Sequence, residues 1–171
     1  MASGHVPGLC KARRVAPVLD ILGFLHEPRH AASVATVTPH GRPALAMMWF
    51  ELFEGRFWFH TPSTGPRSSP FLAAAEQGRE VAAMVATFNP PGDVRQVRVT
   101  GPARLEPLST SRVRSIYERY VPAWSESWEA QATSVDFQLW SITPARGMAV
   151  HYPELEDTKP IRWTEPPSWL W

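Results

Sequence analysis

The segment RQVRVTGPARLEP, residues 95–107, carries the clearest strand pattern in the chain. Apolar residues recur at alternate positions within it, at Val97, Val99, Ala103 and Leu105. Polar or charged residues fill most of the positions between them, and this period of two is typical of a β-strand with one buried face. Gly101 and Pro102 interrupt the run, so we predict a bend or a bulge at that point.

Short strand patterns separated by turn residues recur on both sides of this segment. They predict further strands over 32–38, 44–50, 56–60, 80–88, 135–143 and 146–152. Helical patterns cover 15–26, 70–77, a stretch after Ser109 or Thr110, and 124–132. Because the strands follow one another at hairpin spacing, the order predicts a mainly β fold with peripheral α, an antiparallel barrel of six to seven strands with flanking helices.

Two of the predicted helices carry clear local signals. Pro70 suits the first turn of its helix, and Ser68 or Ser69 would cap it. In the helix after residue 109, one stripe is formed by Val113, Ile116, Tyr117 and Tyr120. A parallel doubly wound sheet is the alternative fold, but no GxGxxG or P-loop pattern follows any strand, so a nucleotide-binding fold of that kind has little support.

The composition is that of a globular protein and limits its partners. The 171 residues suit one domain over 1–171, with 1–14 and the proline-rich 158–171 as irregular terminal segments. A formal net charge of +1 gives no electrostatic drive toward nucleic acid or acidic membranes. No apolar run approaches the roughly 20 residues of a membrane span. We expect no nucleic-acid or membrane partner.

The same survey gives an expectation for location and metal content. The N-terminus lacks the apolar core of a signal peptide, and the single cysteine, Cys10, fits a reducing compartment, so we expect a cytoplasmic protein. The six histidines show no HxH or HExxH spacing, so we expect no dedicated metal site.

Three segments resemble the split-barrel flavoproteins related to pyridoxamine phosphate oxidase, in the family's order and at nearly its spacing. They are TVTPHGRPALAMMWF (36–50), RFWFHTP (56–62) followed by GPRSSPFL (65–72), and RQVRVTGPARLEPLS (95–109). The resemblance covers 32–105 and extends with less detail to 163. It implies an antiparallel split β-barrel that binds FMN, and a homodimer with the cofactor at the subunit interface.

The resemblance also implies a set of FMN-binding residues. It implies that backbone groups of Met47, Met48 and Trp49 contact the edge of the isoalloxazine ring. The phosphate falls to Thr61 and Arg67, since arginine can bind it through two parallel bonds, and Gln96 would bond the polar edge of the ring. The remaining candidate cofactor-binding residues lie beside these positions: His60, Ser68 and Arg98. No side chain is named as a catalytic acid or base.

The chain departs from the family pattern at several cationic positions. Ser68 stands where the family has lysine in the phosphate loop, and Ala46 stands where an arginine opens the return strand of the hairpin. Glu51 replaces a further lysine and could repel phosphate if it faced the site. The family's C-terminal Arg-x-His substrate signature is absent, so we expect no pyridoxamine phosphate oxidase activity.

Three functional hypotheses follow. The resemblance implies an FMN-binding flavoprotein oxidoreductase acting on an unidentified small molecule. Relatives of similar strand order use 5-deazaflavin as reductases, and that acidic cofactor would need a basic groove, here from Arg42, Arg67 and Arg98. The lost cations also leave open a non-catalytic flavin- or haem-binding barrel.

A structural role is the simpler interpretation of several candidates. Apolar strand residues such as Met47 and Met48 usually belong to a core, and His60 at a strand end is more often structural than catalytic.

Overall fold

The computed structural model describes residues 19–64, 69–152 and 159–170. Its strands are β1 (Ala32–Val37), β2 (Pro43–Met48), β3 (Glu51–Phe53), β4 (Arg56–Pro62), β5 (Glu80–Asn89), β6 (Asp93–Leu105), β7 (Phe137–Ile142), β8 (Arg146–His151) and β9 (Ile161–Trp163). Its helices are α1 (Ile21–His26), α2 (Pro70–Glu76), α3 (Thr110–Glu118) and α4 (Glu126–Thr133), and a 3-10 helix covers Ser168–Leu170.

The strands pair antiparallel throughout in the order β2-β1-β5-β6-β7-β4-β3, with β8 on β6 and β9 on β8. This confirms the predicted mainly β split barrel with peripheral α. The described ranges contain nine strands rather than six to seven, because the short strands β3 and β9 carry too few residues for a recognisable alternation. No helix in the described ranges has the length and apolar character to cross a membrane.

Strand β6, which contains most of segment 95–107, belongs to both halves of the barrel. It pairs with β5 along Asp93–Pro102, while its other edge pairs with β8 over Arg95–Thr100 and with β7 over Ala103–Leu105. The change of partner falls at Gly101 and Pro102, where the sequence predicts a bend. A Cβ on Gly101 would lie 1.8 Å from the Thr143 carbonyl oxygen, so the close approach of these two backbones requires glycine.

The predicted buried face of β6 is correct for most of its length. Val97, Val99 and Ala103 are buried in the barrel core. The prediction is wrong for Leu105, which is 39% exposed because it is the last residue of the strand.

Two sequence predictions for the helices hold within the described residues. Ser69 caps α2, its hydroxyl accepting from the Leu72 amide at 3.4 Å, and Ser109 caps α3 in the same way through Arg112. The described part of the first helix starts at Ile21, after Asp20 caps it through the Gly23 amide at 2.9 Å. Residues 15–18 of that prediction lie outside the described ranges.

The predicted irregularity of 158–171 is wrong at Ile161–Trp163, where β9 pairs with β8. Proline density suggested a loop, but the short run between Pro160 and Pro166 is long enough for three paired residues. Trp163 lies against Gly147, where a Cβ would come within 2.4 Å of its ring. Leu170 of the 3-10 helix is buried in the barrel core.

A second apolar cluster positions the helices that flank the candidate site. It joins α3 and α4 to β4 and β7 and consists of Trp58, Val113, Ile116, Tyr117, Ala132 and Leu139, with Trp124 and Trp128 packed against it. The cluster packs Tyr117 of α3 and Ala132 of α4 against β4 and β7.

Candidate functional site

A cavity of about 380 Å³ lies between β2 and the end of β4. It is lined by Ala46, Met47, Met48, Trp49, His60, Thr61, Pro62, Tyr117, Gln131 and Phe137. β2 is the last strand of the sheet path and pairs only with β1 among the described strands. The opposite edge of β2 is therefore available to hydrogen-bond a ligand.

The structure brings five of the predicted site residues together in this cavity: Met47, Met48, Trp49, His60 and Thr61. Met48 points inward and packs partly against the barrel core, which agrees with the expectation that apolar strand residues belong to the core. Met47 points outward and is 77% exposed, so its side chain is not a core residue.

Trp49 forms one aromatic wall of the cavity. Its ring stacks on Tyr120 with centroids 4.8 Å apart and planes 4° from parallel, and it meets Tyr117 edge-on at 5.7 Å. The Tyr120 hydroxyl accepts from the Phe50 amide at 3.0 Å and lies 2.7 Å from the His30 carbonyl oxygen, to which it donates. Tyr120 thus ties the Trp49–Phe50 junction between β2 and β3 to the loop before β1.

His60 forms the opposite side of the cavity, in the strand β4. Its ring stacks on Phe137 at 5.0 Å, and its Nδ1 lies 2.9 Å from the Tyr117 hydroxyl. Its Nε2 is buried and has no hydrogen-bond partner among the described residues. Burial lowers the pKa of His60 to about 4, so the imidazole is neutral at neutral pH.

His60 is expected to make the folded protein less stable as the solution is acidified. Its pKa in the folded state, about 4, is below the ordinary value of about 6.5, so the unfolded chain takes up this proton first. The contribution is complete above about pH 6.5 and is lost as the pH falls toward 4. Because the ring is only half-buried, we expect a loss of about 1–2 kcal/mol.

Urea unfolding of the wild type and of His60→Gln between about pH 7 and pH 4.5 measures this effect. The wild type should lose more free energy of unfolding than His60→Gln, which cannot be protonated in this range. His26→Gln, at an exposed histidine, is the control and should follow the wild type. Equal pH dependence of the wild type and His60→Gln would contradict the assignment.

Thr61 presents its hydroxyl beside the buried Trp140. The Trp140 Nε1–H donates to Thr61 Oγ1 at 2.8 Å, and the Trp140 ring stacks on Phe59 at 4.5 Å. One of the two acceptor positions of the Thr61 hydroxyl is therefore engaged, and its hydrogen can donate to an anionic or carbonyl oxygen.

The remaining predicted residues are not brought into this cavity. Arg67 and Ser68 lie outside the described residues. Gln96 and Arg98 lie on β6 and bond each other, with Arg98 Nη2 donating to Gln96 Oε1 at 2.8 Å. The strand order from β6 to β2 runs through β5 and β1. Arg98 on β6 pairs with Met84, Met84 pairs with Ser33, and Ser33 pairs with Met47 on β2. Arg98 therefore lies three strands away from Met47. At strand spacing this is roughly 14 Å within one chain.

Glu51 does not face the cavity. Its Oε1 accepts from the Ser115 hydroxyl at 2.6 Å, which directs the carboxylate toward α3. The cavity lining contains no charged side chain among the described residues. The Ser115 hydroxyl therefore holds the Glu51 carboxylate toward α3, and Glu51 is not among the residues that line the cavity.

Sequence reasoning did not select five of the lining residues: Ala46, Pro62, Tyr117, Gln131 and Phe137. Tyr117 lay in an apolar helical stripe, a pattern that indicates packing rather than a site. Gln131 and Phe137 belong to elements that reach the cavity only through tertiary packing, so no local signal marked them.

The chain belongs to the pyridoxamine 5'-phosphate oxidase family, whose profile matches residues 21–151. No curated protein matches the chain. Among solved structures, it is similar to the conserved hypothetical protein Rv2991 from Mycobacterium tuberculosis, with 19% identity, TM-score 0.65, and 83% of this chain and 91% of that chain covered.

Two further solved structures share the fold. One is HutZ, the haem storage protein from Vibrio cholerae, with 20% identity, TM-score 0.61, and 80% of this chain and 96% of that chain covered. The other is an F420 reductase, with 22% identity, TM-score 0.55, and 72% of this chain and 92% of that chain covered. At these identities the likeness concerns the fold alone.

Proposed function

We propose that this protein is a flavin-binding oxidoreductase whose cavity holds the isoalloxazine ring of FMN and which acts on a small molecule. The observation that carries the proposal is the cavity between the free edge of β2 and the end of β4, which unites five predicted cofactor-binding residues. Its volume of about 380 Å³ lies within the roughly 300–1,000 Å³ of ligand sites.

The residues present fit a neutral, planar, hydrogen-bonding ring. The lining is uncharged among the described residues, Trp49, Tyr117 and Phe137 supply aromatic surface, and the buried His60 Nε2 has no partner in the described ranges. A strand edge can donate to and accept from the polar edge of an isoalloxazine. The fit supports a ring system of this kind rather than a charged metabolite in the cavity itself.

The residues of the chain would bind and orient the cofactor. Backbone groups of Met47, Met48 and Trp49 would meet the polar edge of the ring, and the Thr61 hydroxyl would donate to the phosphate together with Arg67 and Ser68. A bound flavin supplies the hydride or electron transfer, and the protein supplies orientation and electrostatic tuning.

A homodimer would complete the site. The outward face of the sheet exposes large apolar side chains, with Leu45 75% and Met47 77% exposed. Gln96 and Arg98 occupy this same face at a distance from the cavity of their own chain. We infer that a second copy covers the face and brings Gln96 and Arg98 to the cofactor.

Sedimentation velocity tests the homodimer, and a monomer at micromolar concentration would contradict it.

FMN binding is expected to be measurable by absorbance and by quenching of flavin fluorescence. Trp49→Ala removes one wall of the cavity and should weaken FMN binding about tenfold, because a stacked aromatic contact contributes roughly 1–1.5 kcal/mol. Val135→Ala, at a position 88% exposed and outside the lining, is the matched control. A wild-type protein with no affinity for FMN would refute the proposal.

The 5-deazaflavin cofactor is the second candidate. The observations in its favour are the loss of phosphate-binding cations at Ala46 and Ser68 and the shared fold with an F420 reductase. Competition between FMN and 5-deazaflavin for the same protein discriminates the two. Tighter binding of 5-deazaflavin would replace FMN in the proposal, and tighter binding of FMN would reject the alternative.

A haem-binding or non-catalytic barrel is the third candidate, supported by the shared fold with HutZ. Titration with haemin tests it through the visible absorbance of a ligated iron. Reduction of bound flavin by any substrate, at a rate that falls in a cavity variant such as Trp49→Ala, would exclude the non-catalytic form.

A further inference from the structure

Helix α4 borders the cavity but is held to the rest of the protein by few contacts. Ala132 is the one buried residue among its eight described positions, and Trp128, four positions earlier on the same face, is half-buried against the second apolar cluster. Gln131 reaches the cavity lining from this face. The other five residues of α4 are exposed, so the helix meets the protein along one narrow stripe.

Helix α3, which also borders the cavity, is anchored far more firmly. Three of its nine described residues are buried, Ser109 caps its first turn, and just beyond its last turn the Tyr120 hydroxyl donates to the His30 carbonyl oxygen at 2.7 Å. The first turn of α4 lacks a side-chain cap, and the Ser125 hydroxyl instead lies 2.8 Å from the Ser127 hydroxyl. A helix with few buried apolar contacts and no side-chain cap opens locally at a lower free-energy cost.

Trp128 makes the contact that joins α4 to the cavity. The centroid of its ring lies 5.8 Å from that of Trp49, and it meets the Tyr117 ring edge-on at 5.6 Å. Trp128 is not among the described residues that line the cavity, so it holds α4 in place without touching the ligand space. The chain on either side of α4 can act as a hinge, because 121–125 has no regular secondary structure and Val135 is 88% exposed.

We propose that α4 is a movable side of the cavity and that Trp128 is the contact that keeps it closed. When this contact separates, α4 carries Gln131 away from the cavity and opens a path by which a ligand enters and leaves. A second copy on the outward face of the sheet would cover the cavity beside Met47, and the α4 side would then serve as the entrance. The flavin and the second copy rest on the proposed function, whereas the movement of α4 does not.

Hydrogen exchange read by mass spectrometry on the ligand-free protein tests the movement. We expect the amides of α4 to exchange at least about tenfold faster than those of α3, through local opening. Trp128→Ala should speed exchange in α4 further and leave α3 unchanged. Val85→Ala, in the barrel core, lowers the stability of the whole protein and should leave exchange in α4 unchanged, because local opening does not require global unfolding.

Two exchange results would overturn the inference. One is exchange of α4 at the rate of α3. The other is acceleration of α4 by Val85→Ala to the same extent as the rest of the protein, since α4 would then open only when the whole chain unfolds.

Stopped-flow mixing with FMN tests the path. Trp128→Ala should raise the association and the dissociation rate constants together, each about fivefold to tenfold, because a larger open fraction speeds passage in both directions. The affinity should therefore change much less than either rate constant. Trp128→Phe, which keeps an aromatic ring on Trp49, should stay close to the wild type. Unchanged rate constants in Trp128→Ala, or a change in dissociation alone, would overturn the inference.

The two proposals fail separately. If the wild type binds neither FMN nor 5-deazaflavin, the proposed function fails, and the path for a flavin fails with it. Hydrogen exchange in the ligand-free protein still supports or refutes the movement of α4 in that case.

Discussion

Replacing Gly101 with alanine is expected to lower the free energy of unfolding by more than about 3 kcal/mol. The added Cβ would lie 1.8 Å from the Thr143 carbonyl oxygen and 2.9 Å from the Ala145 amide nitrogen. Both atoms belong to backbone that is held in place, because the Thr143 amide donates to Pro102 O and the Ala145 amide donates to Thr100 O, each at 3.0 Å. Relief of the overlap would require breaking these bonds at the point where β6 changes partner.

Gly92→Ala is the matched control, because a Cβ at Gly92 would meet no atom within 4 Å. We expect its effect to stay within about 0.5 kcal/mol. Urea unfolding of the wild type and both variants gives the comparison, and circular dichroism reports whether Gly101→Ala folds at all. Similar stabilities for the two variants would show that the backbone at 143–145 can move away from β6.

Replacing Trp140 with alanine is expected to cost about 3–5 kcal/mol of unfolding free energy. Trp140 is fully buried, stacks on Phe59 at 4.5 Å and packs near Phe71 of α2 at 6.3 Å. Its Nε1–H also fixes the Thr61 hydroxyl at 2.8 Å. The substitution would leave a large void in the core and release a residue of the candidate site.

Trp140→Phe separates these two effects. Phenylalanine keeps an aromatic ring on Phe59 but loses the donor to Thr61, so the cost should fall to about 1–2 kcal/mol. Thermal or urea unfolding measures stability, and FMN titration measures the site. Val135→Ala, 88% exposed, should change neither. A loss in Trp140→Ala no larger than in Val135→Ala would contradict the packing described for Trp140.

Most of the fold could be predicted from local pattern. The alternation along β6 predicted both the strand and its buried face, because side chains at every second position of a strand lie on the same face and its valines are buried only if that face meets the core. The aromatic run Phe57, Trp58 and Phe59 has no polar residue between its members, which is typical of a strand covered on both faces, and all three residues are buried. β9 was missed because its three residues are too few to show an alternation and lie in a proline-rich stretch.

The candidate site was predictable only in part. Family resemblance selected Trp49, His60 and Thr61, and the fold brings them to one cavity. Tyr117 and Gln131 could not be selected, because they reach the cavity only through the packing of α3 and α4. The resemblance also selected Gln96, but within one chain Gln96 lies on the outward face of β6, away from the cavity.

The hydroxyl of Tyr120 has a consequence for how the cavity receives a ligand. It bonds backbone groups of Phe50 and His30 while its ring lies parallel to Trp49, so the aromatic wall has one orientation before anything binds. A preorganised wall spares the ligand the entropic cost of ordering that side chain, roughly 0.5–1.5 kcal/mol for a flexible residue. Affinity in this cavity would then depend on the shape of the ring offered to it more than on rearrangement of the protein.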